Sequence, residues 1–160
     1  MKLKISVVSI TILVTLTIMI SQSFAKEYKN TSALSGLKEV GVIFDVTVAK
    51  PERLLLRLQL IEETVEGIEK EEVKVKAVVL FRGGASMYMT KSTQLPIKKQ
   101  IQDQVRKLSR LGYTLEQCAI ALRIMGVDPE TIIPELTIVG NVYTSIIGYE
   151  SKNYSLVDMD

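Results

Sequence analysis

Short apolar, β-branched runs alternate along this chain with stripes of apolar residues at helical spacing. That alternation constrains the fold more than any other feature. Val40 to Val48 (VGVIFDVTV) is apolar on both faces apart from Asp45 and Thr47, as in a strand covered on both sides within a parallel sheet. Pro51 then opens a helix, with Glu52 at the end where the helix dipole favours negative charge. Leu54, Leu55, Leu58, Ile61, Val65 and Ile68 form its stripe, with Arg57, Glu62, Glu63 and Glu66 outside it. It is expected to end near Lys70. Val73 to Phe81 (VKVKAVVLF) reads as a second strand whose start, with Lys74 and Lys76, lies at a solvated rim.

The second half repeats the pattern. Arg82-Gly83-Gly84-Ala85 follows the second strand, a helical turn is expected over Ser86 to Thr90, and residues 91–96 are a polar break. A second helix spans Ile97 to Leu111, with the stripe Ile101, Val105, Leu108 and Leu111, and Gly112 terminates it. A short strand over Leu115 to Cys118 leads into a helix to Met125, stopped by Gly126. Asp128-Pro129-Glu130 is a helix start: a capping Asp, a proline at the first position and an early Glu. That helix is short and ends before Pro134. Strand Leu136 to Val139, helix Asn141 to Glu150 and strand Tyr154 to Val157 complete the order. The fold class is therefore α/β: a three-layer, open, mostly parallel five-stranded sheet with helices on both faces.

The N-terminus carries a different signal. Lys2 and Lys4 precede an apolar run from Ile5 to Ile20, followed by Ser21-Gln22-Ser23-Phe24-Ala25. This is the layout of a secretory signal peptide cleaved after Ala25, with Ser23 and Ala25 as the two small residues the peptidase reads. The run is shorter than the roughly 20 residues a membrane helix needs. Contact with a membrane is expected only through this segment if it stays uncleaved, and no cysteine stands near the cleavage position to carry a lipid. The organisation is then residues 1–25 as leader, 26–38 as a flexible mature N-terminus and 39–160 as one domain, exported and periplasmic.

Composition narrows the chemistry. The chain has 20 basic and 18 acidic residues, and losing Lys2 and Lys4 with the leader leaves the two signs equal. Nucleic acid is not an expected partner, because binding it needs a basic excess. There is no histidine and one cysteine, Cys118. Triads that need an imidazole base and most zinc sites are thereby disfavoured, and no internal disulfide can form. No metal site is expected, and no motif asks for a cofactor. The basic face Lys98, Lys99, Arg106, Lys107 and Arg110 reads as a solvated helix face.

Ligand sites of open parallel sheets form at the C-terminal ends of the strands. Three features fall there: Arg82-Gly83-Gly84-Ala85, Cys118 and Gly140-Asn141. The glycines permit close backbone approach. A helix starting after Cys118 would favour its thiolate, and Arg82 or Arg123 could add positive charge. Candidate residues are Cys118 as a reactive thiol, with Arg82, Gly83, Gly84, Arg123 and Asn141 as anion or ligand contacts. The competing reading is a buried structural cysteine in a non-catalytic oligomeric binding or scaffold module.

The order of these motifs resembles the DsrE/DsrF-like proteins, small α/β domains associated with sulfur oxidation and sulfur relay. The likeness rests on Arg82-Gly83-Gly84-Ala85, where relatives often have His-Gly; on Leu111-Gly112-Tyr113 through Cys118 to Gly126; on Val127-Asp128-Pro129-Glu130 and Ile133-Pro134; and on the tail with Val139, Asn141, Ile146, Tyr149 and Asn153-Tyr154-Ser155-Leu156. It covers about residues 40–158. It implies assembly into homotrimers or hexamers. It also implies a sulfur-carrying cysteine at the position of Cys118, serving a sulfur donor or acceptor protein or a small thiol, as a carrier more than a turnover enzyme. Two departures stand out: relay members work in the cytoplasm, and Arg82-Gly83 replaces the common His-Gly.

Overall fold

A computed structural model describes residues 28–92 and 94–160. The expected leader and its cleavage position lie outside them. A single helical turn, α1 (Thr31–Leu34), precedes the sheet, and the Thr31 hydroxyl donates to the Glu71 carboxylate at 2.9 Å. Five strands follow: β1 (Glu39–Val46), β2 (Lys74–Phe81), β3 (Thr114–Cys118), β4 (Thr137–Val139) and β5 (Tyr154–Met159). Between them run α2 (Pro51–Glu69), α3 (Pro96–Arg110), α4 (Ala119–Met125) and α5 (Val142–Glu150), with short 3₁₀ turns at Gly83–Tyr88 and Pro129–Thr131.

Every ladder is parallel, and the strand order is β4-β3-β2-β1-β5. The first three crossovers step in one direction from β1 to β4. The fourth returns across the sheet to the far side of β1. Right-handed crossovers therefore place α5 on the face opposite α2 and α3. The core agrees. Phe44, Val79 and Phe81 pack with Leu54, Leu58, Ile61, Val105 and Leu108 in one cluster. The alternate residues Ile43, Val78 and Leu80 pack with Val142 and Ile146 in another, as the two-residue period of a strand requires. Because the connections leaving β3 and β4 diverge to opposite faces, a crevice opens at their C-terminal ends. Cys118 and Val139 pair there in register.

Three local expectations differ from what is observed. The Asp128-Pro129-Glu130 start yields one 3₁₀ turn, although Asp128 accepts from the Glu130 N–H at 3.0 Å. Ile132 and Ile133 are drawn into the core, and the Ile133 N–H donates to the Met89 carbonyl at 2.9 Å, which prevents a further helical turn. The helical turn after β2 begins at Gly83 rather than Ser86. Glu62, expected on the outer face of α2, is only 7% exposed. It lies at the seam with α3, accepting from Gln104 Nε2 at 2.6 Å and pairing with Lys107.

Lys99, Arg106 and Lys107 on the basic face of α3 are paired with carboxylates. Lys99 and Arg106 pair with Asp103 at 2.6 and 3.0 Å, and Arg106 reaches Glu135 at 3.2 Å. No helix among the described residues is long and apolar enough to cross a membrane.

Candidate functional site

Three chain segments converge where the crossovers diverge. β3 ends on Cys118, which is also the residue preceding α4, in extended conformation. Buried Gln117 holds this strand end in place: its amide donates to Ser86 Oγ at 2.8 Å and to the Cys118 carbonyl at 3.2 Å. β2 delivers Arg82 directly after Phe81, and Gly83 turns the chain at φ +54°, a conformation that favours glycine. α5 delivers Tyr143. Asn141 caps that helix, its side-chain oxygen accepting from the Tyr143 N–H at 3.0 Å.

Together they border a cleft of about 180 Å³. Arg82, Gly83 and Cys118 supply its polar side. Ile120, Ala121, Ile124, Met125 and Tyr143 supply the apolar walls. α4 stops on Gly126 in the left-handed conformation, at φ +65°, which keeps the walls contributed by α4 to two turns. Cys118 is 4% exposed, and its thiol has no hydrogen-bond partner among the described residues.

The charge on Arg82 is already met. Its Nε donates to both oxygens of Asp45, at 2.9 and 3.1 Å, and Nη2 donates to Oδ2 at 2.7 Å. The guanidinium also lies over the Tyr143 ring, 5.0 Å from its centroid. The hydrogen bond to Asp45 outweighs partial burial and raises the Arg82 pKa above its ordinary value, so the side chain stays cationic. Asp45 is 5% exposed. It is the one charged residue in the buried part of β1, where a carboxylate needs a partner.

Of the residues expected from sequence, the fold brings Cys118, Arg82 and Gly83 to one cleft. Gly84 does different work: a Cβ there would lie 2.4 Å from the Ala49 Cβ and 2.7 Å from its Cα. It is a packing glycine between the β2 and β1 loops, not part of an open cradle. Arg123 is exposed on α4 and does not line the cleft. Asn141 acts through the cap that places Tyr143. Sequence reasoning missed Asp45 as the partner of Arg82, and it missed the apolar walls. A lone Asp inside VGVIFDVTV was the signal available for the first.

A wider groove of about 420 Å³ lies beside Thr90, Lys91, Asp128 and Glu130. Lys91 is bound there by the Glu130 carbonyl at 2.8 Å, and the groove lacks a thiol. Among the described residues no three His, Cys, Asp or Glu side chains come together as a metal site.

Solved structures share this architecture. MTH1491 of Methanobacterium thermoautotrophicum, a protein of unknown function, matches with a TM-score of 0.63 at 15% identity, over 74% of this chain and 98% of its own. YchN of E. coli matches with a TM-score of 0.55 at 11% identity, over 76% of this chain and 99% of its own. No family model matches the sequence, and neither does any curated protein. At these identities the likeness shows a shared fold.

Proposed function

We propose that this chain is an exported DsrE-like protein that binds or carries sulfur as a persulfide on Cys118. The observation that carries the reading is the thiol's position: it borders a cleft at the C-terminal end of β3, where the crossovers of an open parallel sheet diverge. In the loading step the Cys118 thiolate attacks the outer sulfur of a donor R–S–SH. A new S–S bond forms, the donor's S–S bond breaks, and its electron pair leaves with RS⁻. In the unloading step an acceptor thiolate attacks the terminal sulfur, and the Cys118 thiolate is restored. Neither step needs an external oxidant. Assembly into a homo-oligomer and export through residues 1–25 belong to the same reading.

Intact-mass measurement after treatment with dissolved elemental sulfur, the neutral S8 ring, tests it. The chain is expected to gain about 32 Da per sulfur atom, to lose it to a reductant, and to gain nothing as Cys118→Ser. A wild-type chain that gains no such mass refutes the proposal. The low exposure of Cys118, packed with Ile43, Val78, Leu80 and Val142, favours a second reading: a structural cysteine in a non-catalytic binding module. That reading predicts thiol labelling only on unfolding.

A further inference from the structure

Resting on the carrier reading, we propose that the sulfur compound exchanging with Cys118 is neutral and apolar, and that anionic sulfur donors are selected against.

Three observations carry this. First, the single cation lining the cleft, Arg82, is engaged by Asp45 through two nitrogens. Asp158 stands opposite Asp45 in the β1–β5 register and acts on the same guanidinium. The one positive charge is thus already paired, and a further anion gains little by approaching. Only Nη1 of Arg82 is left without a partner among the described residues. Second, the remaining walls are apolar and openly displayed: Ile124 is 74% exposed and Tyr143 55%. An anion entering between them would shed water without replacement hydrogen bonds, whereas an alkyl or aromatic group would be drawn in. Third, Cys118 is more than nine-tenths buried and lines this cleft. A reagent that reaches it through the cleft passes the apolar rim. The cleft volume suits one ring or a branched alkyl group rather than a peptide-sized anion.

The test uses two aromatic disulfides on the purified chain: neutral dithiodipyridine and the dianionic dithiobis(nitrobenzoate). In each case the Cys118 thiolate forms a mixed disulfide and one aromatic thiolate leaves, so the released chromophore reports the rate. The neutral-to-anionic rate ratio is divided by the same ratio for mercaptoethanol. We expect it to exceed the free-thiol value by about tenfold. Ile124→Lys, at an exposed position that leaves the core intact, should lower the ratio several-fold. Asp45→Asn should do the same by releasing Arg82, provided its circular dichroism matches wild type. A ratio at or below the free-thiol value overturns the inference but leaves the carrier reading standing. So does a preference that Ile124→Lys and Asp45→Asn both leave unchanged, because it would be steric. Reaction with neither reagent until the chain unfolds defeats both.

Discussion

Replacing Gly84 by alanine puts a single methyl group against the tightest backbone contact near the site. The added Cβ would stand 2.4 Å from the Ala49 Cβ, 2.7 Å from the Ala49 Cα and 3.3 Å from its nitrogen. Carbon atoms pack at about 3.5–4.0 Å, so the β1–α2 loop or the 3₁₀ turn after β2 must move by more than 1 Å. Neither is free to do so. The Arg82 N–H is bonded to the Val46 carbonyl at 3.1 Å, and buried Val48 and Ala85 anchor the two segments in the core. Overpacking of this kind costs about 1–3 kcal/mol. Alanine's smaller unfolded-state entropy returns about 0.4–1 kcal/mol, leaving a net loss of about 1–2 kcal/mol. With a urea m-value of about 1–3 kcal/mol/M, the midpoint should fall by roughly 0.3–2 M at unchanged slope. Adding Ala49→Gly removes the 2.4 Å contact but not the 2.7 Å one, so the double variant should recover part of the loss. The same shift displaces Arg82 and Gly83, so the rate of thiol labelling at Cys118 should change. An unchanged or higher urea midpoint for Gly84→Ala would refute the claim that this glycine is held by packing.

Gly148→Ala and Gly67→Ala are the contrasting cases: both sit within helices where an added Cβ meets nothing within 4 Å. Each should raise the urea midpoint, by about 0.5–1 kcal/mol of stability. Glu62 makes a pH prediction. Burial alone would raise its pKa, but hydrogen bonds from Lys107 and Gln104 prevail and lower it below its ordinary value of 4.5. The stability it supplies is therefore fully present above pH 4.5 and is lost as the pH falls through the folded-state value. Glu62→Gln should flatten the acid limb of stability measured by urea titration from about pH 6 down to about pH 3. An acid limb as steep as wild type would show that Glu62 contributes nothing to it.

The element order was legible in the sequence because it rests on local periodicity. The stripe Leu54, Leu58, Ile61, Val65 and the apolar run through Phe44 each declare their own geometry whatever their neighbours are. Cys118 at a strand end was legible for the same reason. What escaped were pairings between distant segments. Glu62 looks like an outward charge until Gln104 and Lys107 of α3 close on it. Arg82 looks like a free cation until parallel pairing of β1 and β2 brings Asp45 beside it.

The sequence by itself determined the kind and order of the elements and, through the missing histidines and single thiol, the range of chemistry open to the chain. Only the tertiary structure decided which glycine packs and which lines the cleft, and that the arginine arrives already neutralised. It also decided that β5 pairs with β1 rather than β4. The reason is physical: strands covered on both faces carry little information about their neighbours, so strand order, and with it the local charge balance, emerges only when all five are packed together.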